Sequence, residues 1–103
     1  MHVNSEPIRN LEDLRQWREQ ILTLARRHRV LQVSVFGSVA RGDTHANSDV
    51  DLLVDFEQGY RLTDHIRLLQ GLKELLNCKV DVVDRRALRP EFRDFVLAEV
   101  QPL

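Results

Sequence analysis

The chain has 103 residues, 43% hydrophobic and 30% charged, which are the proportions of one globular domain of ~13 Å radius rather than of a disordered chain. Fifteen Lys and Arg face sixteen Asp and Glu, a net charge of −1. That balance argues against a general nucleic-acid coat or a basic membrane anchor. No apolar run approaches the ~20 residues that span a bilayer, and no signal-like segment opens the sequence. The lone cysteine, Cys78, cannot form an internal disulfide, so a reducing cytoplasm is the expected setting. A single domain over 1–103, with 1–9 as a loose leader, leaves little room for a separate substrate domain. The substrate is expected to bring its own surface.

Asn10 is placed to cap a first helix, with Glu12 and Asp13 in its opening turn. Leu14, Trp17, Ile21, Leu24 and His28 then recur at helical spacing, with Trp17 as the expected core anchor. Residues 30–36 alternate β-branched and polar side chains and read as a strand ended by Gly37-Ser38. A second strand over 50–56 puts Val50, Leu52, Val54 and Phe56 on one face and Asp51 and Asp55 on the other. A helix over 62–76, capped by Thr63, carries Ile66, Leu69, Leu72 and Leu76 as its buried stripe. Residues 79–84 form a third strand with Val80 and Val82 inward and Asp81 outward. Pro90 suits the first turn of a last helix, in which Phe92, Phe95, Val96 and Val100 are expected to face inward. This order predicts an α/β (α+β) fold, a small sheet covered by helices.

Charge is unevenly spread. Residues 1–41 carry seven basic and four acidic groups, whereas 42–84 carry four basic and nine acidic ones. Several of these acids sit inside strands, where a solvated face explains them poorly. Asp49 and Asp51 are two apart on a strand and project from the same side. Folding does not reward two carboxylates held close. Mg²⁺ removes the conflict, since it prefers hard oxygen ligands and uses one or two carboxylates together with phosphates. Asp81, outward on another strand, completes three converging carboxylates if the two strands are neighbours. Gly37 permits close backbone approach to phosphate oxygens, and Ser38 offers a hydroxyl and an N–H. A short helix opening at Ser38 would add positive potential toward an anion. Arg41 supplies a permanent cation suited to phosphate or carboxylate. The chemistry reads as metal plus phosphate. The histidines lack zinc-like spacing, and Cys78 has no adjacent base, which makes it a core or helix-end residue.

The segment Gly37-Ser38-x10-Asp49-x-Asp51 resembles the signature of the DNA polymerase β-like nucleotidyltransferase superfamily. With Arg41-Gly42 and Ser48-Asp49-x-Asp51-Leu52, it is similar to the minimal nucleotidyltransferase branch. The likeness continues through Asp55-Phe56-Glu57, Lys79-Val80-Asp81-Val82-Val83 and Ala87-Leu88-Arg89-Pro90. The resemblance implies the nucleotidyltransferase fold, and an antitoxin that moves AMP from ATP onto a tyrosine of a partner HEPN-domain ribonuclease toxin. It implies Asp49, Asp51 and Asp81 as catalytic, metal-binding carboxylates for two Mg²⁺ ions, with Asp81 helping to deprotonate the attacking hydroxyl. Gly37 and Ser38 would hold the β- and γ-phosphates, while Arg41 would meet nucleotide or brace the loop. Neither direct nucleic-acid binding nor a membrane is expected. An intact carboxylate triad favours catalysis over inhibition by occlusion alone, and the small size of the chain disfavours transfer to a small molecule.

Overall fold

The computed structural model describes residues 8–43 and 49–103; the expected leader falls largely outside them, as do His45, Asn47 and Ser48 of the motif loop. Asn10 caps the first helix as its chemistry predicts, its side chain accepting from Asp13 N–H at 2.8 Å. The run to residue 28 is not continuous. It divides into α1 (Leu11–Arg15) and α2 (Arg18–Arg27) at a turn through Gln16 and Trp17. Periodicity continues across the turn, which contains neither Pro nor Gly, so spacing alone conceals it. The bend lets Leu14 and Ile21 both become fully buried, while Trp17 is half-buried against the core rather than at its centre.

β1 (Val30–Phe36) leads into a five-residue helix, α3 (Gly37–Arg41), and β2 (Val50–Phe56) follows the motif loop. α4 (Leu62–Leu76) crosses to β3 (Val80–Asp84), which lies parallel to β2. A 3₁₀ turn (Arg85–Ala87) and α5 (Pro90–Glu99) precede β4 (Gln101–Pro102). The sheet order is β3-β2-β1-β4, with β1 antiparallel to both β2 and β4. This is the expected mixed α/β fold. The two-residue β4 carries no sequence period and was not predicted.

One face of the sheet presents Val33, Val35, Val50, Leu52, Val54, Val80 and Val82 to α2 and α4, and these side chains form the core. α4 begins one residue before the expected Thr63 cap, with Asp64 accepting from Arg61 N–H at 2.9 Å instead. Its buried column is Leu68, Leu72 and Leu76; Ile66 is 44% exposed and Leu69 half-buried. The segment has apolar residues on adjoining columns, so several rotations satisfy a helical period, and packing selects one. The larger departure is α5. Phe92 and Phe95 are 54% and 77% exposed, against the expectation that they face inward, while Val96 and Val100 are half-buried. α5 meets chiefly the short α3, so among the described residues no apolar layer lies over its aromatic side. Among the described residues, no helix is long and apolar enough to cross a membrane.

At the far end of β3 a polar cluster closes the sheet. Tyr60 stacks on Phe56 with ring centroids 4.1 Å apart and donates to Asp84 Oδ2 at 2.8 Å. Burial alone would raise the Asp84 carboxyl. The hydrogen bonds from Tyr60 and from Arg86 N–H, with the Arg86 charge, outweigh it and hold the carboxyl below its ordinary value. Stability from this cluster is therefore present above the unfolded carboxyl value of ~3.9 and is lost as pH falls through the lower folded one. Tyr60→Phe keeps the stack and removes one bond to a charged group. It is expected to cost about 1.5–3 kcal/mol at pH 7, with a smaller deficit at pH 3, measured by urea denaturation at both.

Candidate active site

Two local geometries converge on Asp51. The first is sheet register: parallel pairing sets Asp51 opposite Asp81 and Val50 opposite Val80. A parallel neighbour keeps both side chains on one face, so the condition for bringing Asp81 beside the Asp49–Asp51 pair is met. The second is Gly37, whose φ of +74° opens α3. A Cβ at this position would collide with Asp51 Oδ2. Glycine is thus required twice, for a backbone conformation that side chains disfavour and for the space that the carboxylate fills.

The charges tell the same story. The Asp51 carboxyl is pushed up to about 6, first by burial, then by the charge of Asp81, then by that of Asp49, with a hydrogen bond to Asp81 and the charge of Glu99 adding to it. Asp81 itself is exposed and Asp49 half-buried at the mouth of β2. Burial and the Asp49 charge also push the Cys78 thiol up. Cys78 therefore stays protonated, which suits a residue beside the α4 terminus and not a nucleophile.

Arg41, the last residue of α3, pairs with two acids: its Nη1 lies 2.8 Å from Glu99 Oε2 and its Nε 3.2 Å from Asp43 Oδ2. Glu99 Oε1 accepts from Gly37 N–H at 3.0 Å. The sequence reading missed Glu99. It ends an unremarkable helix fifty residues beyond the motif, and only the folded chain brings it to Gly37. α3 opens at Gly37 rather than Ser38, and Ser38 sits half-exposed in its first turn.

Among the described residues, no three His, Cys, Asp or Glu side chains form a ready-made metal cage. The donor set nevertheless suits Mg²⁺ in kind: hard carboxylate oxygens, of which Asp81 is exposed and Asp49 and Asp51 are half-buried. Mg²⁺ ordinarily takes only one or two carboxylates and completes its shell from water and substrate phosphates.

The family described as "Polymerase beta, Nucleotidyltransferase" matches residues 19–103. The chain belongs to this nucleotidyltransferase family. It is 41% identical over 87 residues to the protein adenylyltransferase MntA of Thermococcus cleftensis, covering 80% of this chain and 88% of that one. Among solved structures, one provisionally named a minimal nucleotidyltransferase is 51% identical, with a TM-score of 0.80 over 91% of this chain and 96% of the other. A toxin-antitoxin crystallised with AMP-PNP is 27% identical, with a TM-score of 0.70 over 82% of this chain and 69% of that one. The fold of this nucleotidyltransferase is thus that of its family, on the whole span from α2 to the last residue.

Two outcomes follow from the crowding of carboxylates. Asp51 has a folded value above its unfolded one, so the native protein binds more proton between roughly pH 4 and 6. Stability falls as pH rises through that window, and the penalty persists above it. Asp51→Asn, in chelator without metal, is expected to raise Tm over wild type at pH 8 and to leave it little changed at pH 4. Gly37→Ala is expected to cost at least ~1–2 kcal/mol from the left-handed backbone alone, plus the collision with Asp51. Urea denaturation should show that Asp51→Ala, which clears the space, costs less in the Gly37→Ala background than in wild type.

Proposed function

We propose that this nucleotidyltransferase is an antitoxin that transfers AMP from ATP, with Mg²⁺, to a tyrosine of a partner HEPN-domain ribonuclease toxin in the cytoplasm. The observation that carries the reading is the half-buried Asp51, seated against Gly37 and opposite Asp81, its carboxyl pushed up by burial and by the charges of Asp81 and Asp49. The Thermococcus relative's name and the AMP-PNP-bound toxin-antitoxin structure support protein as the acceptor and ATP as the donor.

In this reading Asp49, Asp51 and Asp81 hold the metal. Bound Mg²⁺ supplies charge neutralisation for the attacking and leaving oxygens of an in-line displacement. The chain itself positions and polarises. Ser38 offers its hydroxyl and N–H to the β- and γ-phosphates. Asp81, exposed beside Asp51, faces the incoming tyrosine. The tyrosine oxygen bonds to the α-phosphorus, the bond to the β-phosphate oxygen breaks, and pyrophosphate leaves. The phenolic proton passes to Asp81.

The deciding experiment is co-expression with the partner toxin and intact-mass analysis of that toxin. Wild type should add AMP-sized increments to a tyrosine. Asp81→Asn should add none, release toxicity and still co-purify with the toxin, because Asp81 is exposed and its hydrogen bond is to Asp51, within the site itself. A variant that protects cells beside an unmodified toxin would establish occlusion instead. Ser38→Ala should weaken ATP binding by about 1–3 kcal/mol in calorimetry with Mg²⁺, the loss of one bond to a charged group.

A further inference from the structure

Glu99 lies at the end of α5, and its carboxylate is shared between two partners. Oε1 accepts from Gly37 N–H at 3.0 Å, and Oε2 accepts from Arg41 Nη1 at 2.8 Å. Gly37 and Arg41 are the first and last residues of α3, so one side chain clasps the short helix at both ends. Bonds between ionised partners are the stronger kind and hold geometry. The Glu99 side chain is 29% exposed and that of Arg41 48%, so water reaches the ion pair mainly from the Arg41 side.

Glu99 is itself held firmly. Two residues on, Gln101 and Pro102 pair with Val35 and Ser34 of β1, the strand that runs directly into Gly37. Arg15 donates to the Pro102 and Leu103 carbonyls at 2.7 and 3.1 Å, and the Leu103 side chain is buried in the core. The segment leaving Glu99 and the segment entering Gly37 are therefore neighbours in one sheet. The clasp has no slack at either end.

We infer that Glu99 is a positioning residue for nucleotide transfer, fixing Gly37 and Arg41 so that Ser38 faces the triphosphate. The inference rests on the nucleotidyltransferase reading of this site. It also reassigns Gly37: its N–H is engaged by Glu99, so phosphate contact from the loop falls to Ser38, and the glycine serves to admit Asp51.

The test is calorimetric titration of the full chain, without toxin, with Mg²⁺ and α,β-methylene-ATP, which cannot transfer AMP. Glu99→Gln keeps side-chain volume and an acceptor for Gly37 but removes the charge on Arg41. It is expected to weaken binding about tenfold with little change in Tm. In an Arg41→Ala background the same substitution should weaken binding no further, whereas Glu99→Ala, which also frees Gly37, should still do so. Unchanged affinity in Glu99→Gln, or equal losses in both backgrounds, would overturn the inference. Tighter binding would overturn it too, by showing that the carboxylate competes with phosphate for Arg41. Wild type that binds nucleotide but never modifies a toxin would overturn the proposed antitoxin activity and leave Glu99's role standing; wild type that binds no nucleotide would overturn both.

Discussion

A carboxylate resting against a residue with no side chain is the constraint on which the site depends. Asp51 Oδ2 occupies the space that a Cβ at Gly37 would need, and this contact joins the central strand β2 to the turn where β1 becomes α3. Everything chemical follows from that seat. Parallel pairing of β3 then has to deliver Asp81 next to Asp51, and burial, with the charges of Asp81 and Asp49, pushes the Asp51 carboxyl up to about 6. Like charges so close are a cost to folding. In the proposed function a bound cation and phosphates would turn the same crowding into affinity.

The opposite face of the sheet offsets that cost. Val50, Leu52 and Val54 alternate with Asp51 and Asp55 along β2 and are buried by α2 and α4, all at 1% exposure or less. Burial of this kind contributes roughly 25 cal/mol per Å² of apolar surface, spread over a continuous core. Polar contacts secure strand ends on both faces: Arg85 pairs with Asp55 at 2.9 Å on the Asp51 face, and Tyr60 donates to Asp84, which the register sets beside Val54 on the apolar face. The Asp51 face is itself partly covered, since Leu53, two residues on from Asp51, is fully buried, while Asp81 is exposed.

α5 shows how a weakly packed helix can still matter to the site. It has no fully buried residue, and Phe92 and Phe95 stay in solvent. Its contribution is to return the chain to β1, where β4 pairs, and in doing so to set Glu99 against α3. The helix behaves as a strap whose two fastenings are polar, at Glu99 and at the carbonyls held by Arg15.

The strands were legible in the sequence because each is short, rich in β-branched residues and bounded by turn residues; β1 and β2 occupy the predicted 30–36 and 50–56. The motif was legible for a related reason: two acids two residues apart, a Gly-Ser turn before them and an outward acid on a later strand are features of local spacing, whereas the parallel pairing that sets Asp81 opposite Asp51 is not. Tertiary structure decided what spacing does not encode. The turn at Trp17 and the rotation of α4 depend on which apolar column the sheet accepts. The exposure of Phe92 and Phe95 depends on what lies opposite α5, since helical period states that a face is apolar and not that another layer covers it. Glu99 could be recognised only once β4 had carried the chain's end back beside Gly37. Its partners lie 62 and 58 residues away, and contacts at that separation are set by the closure of the whole sheet.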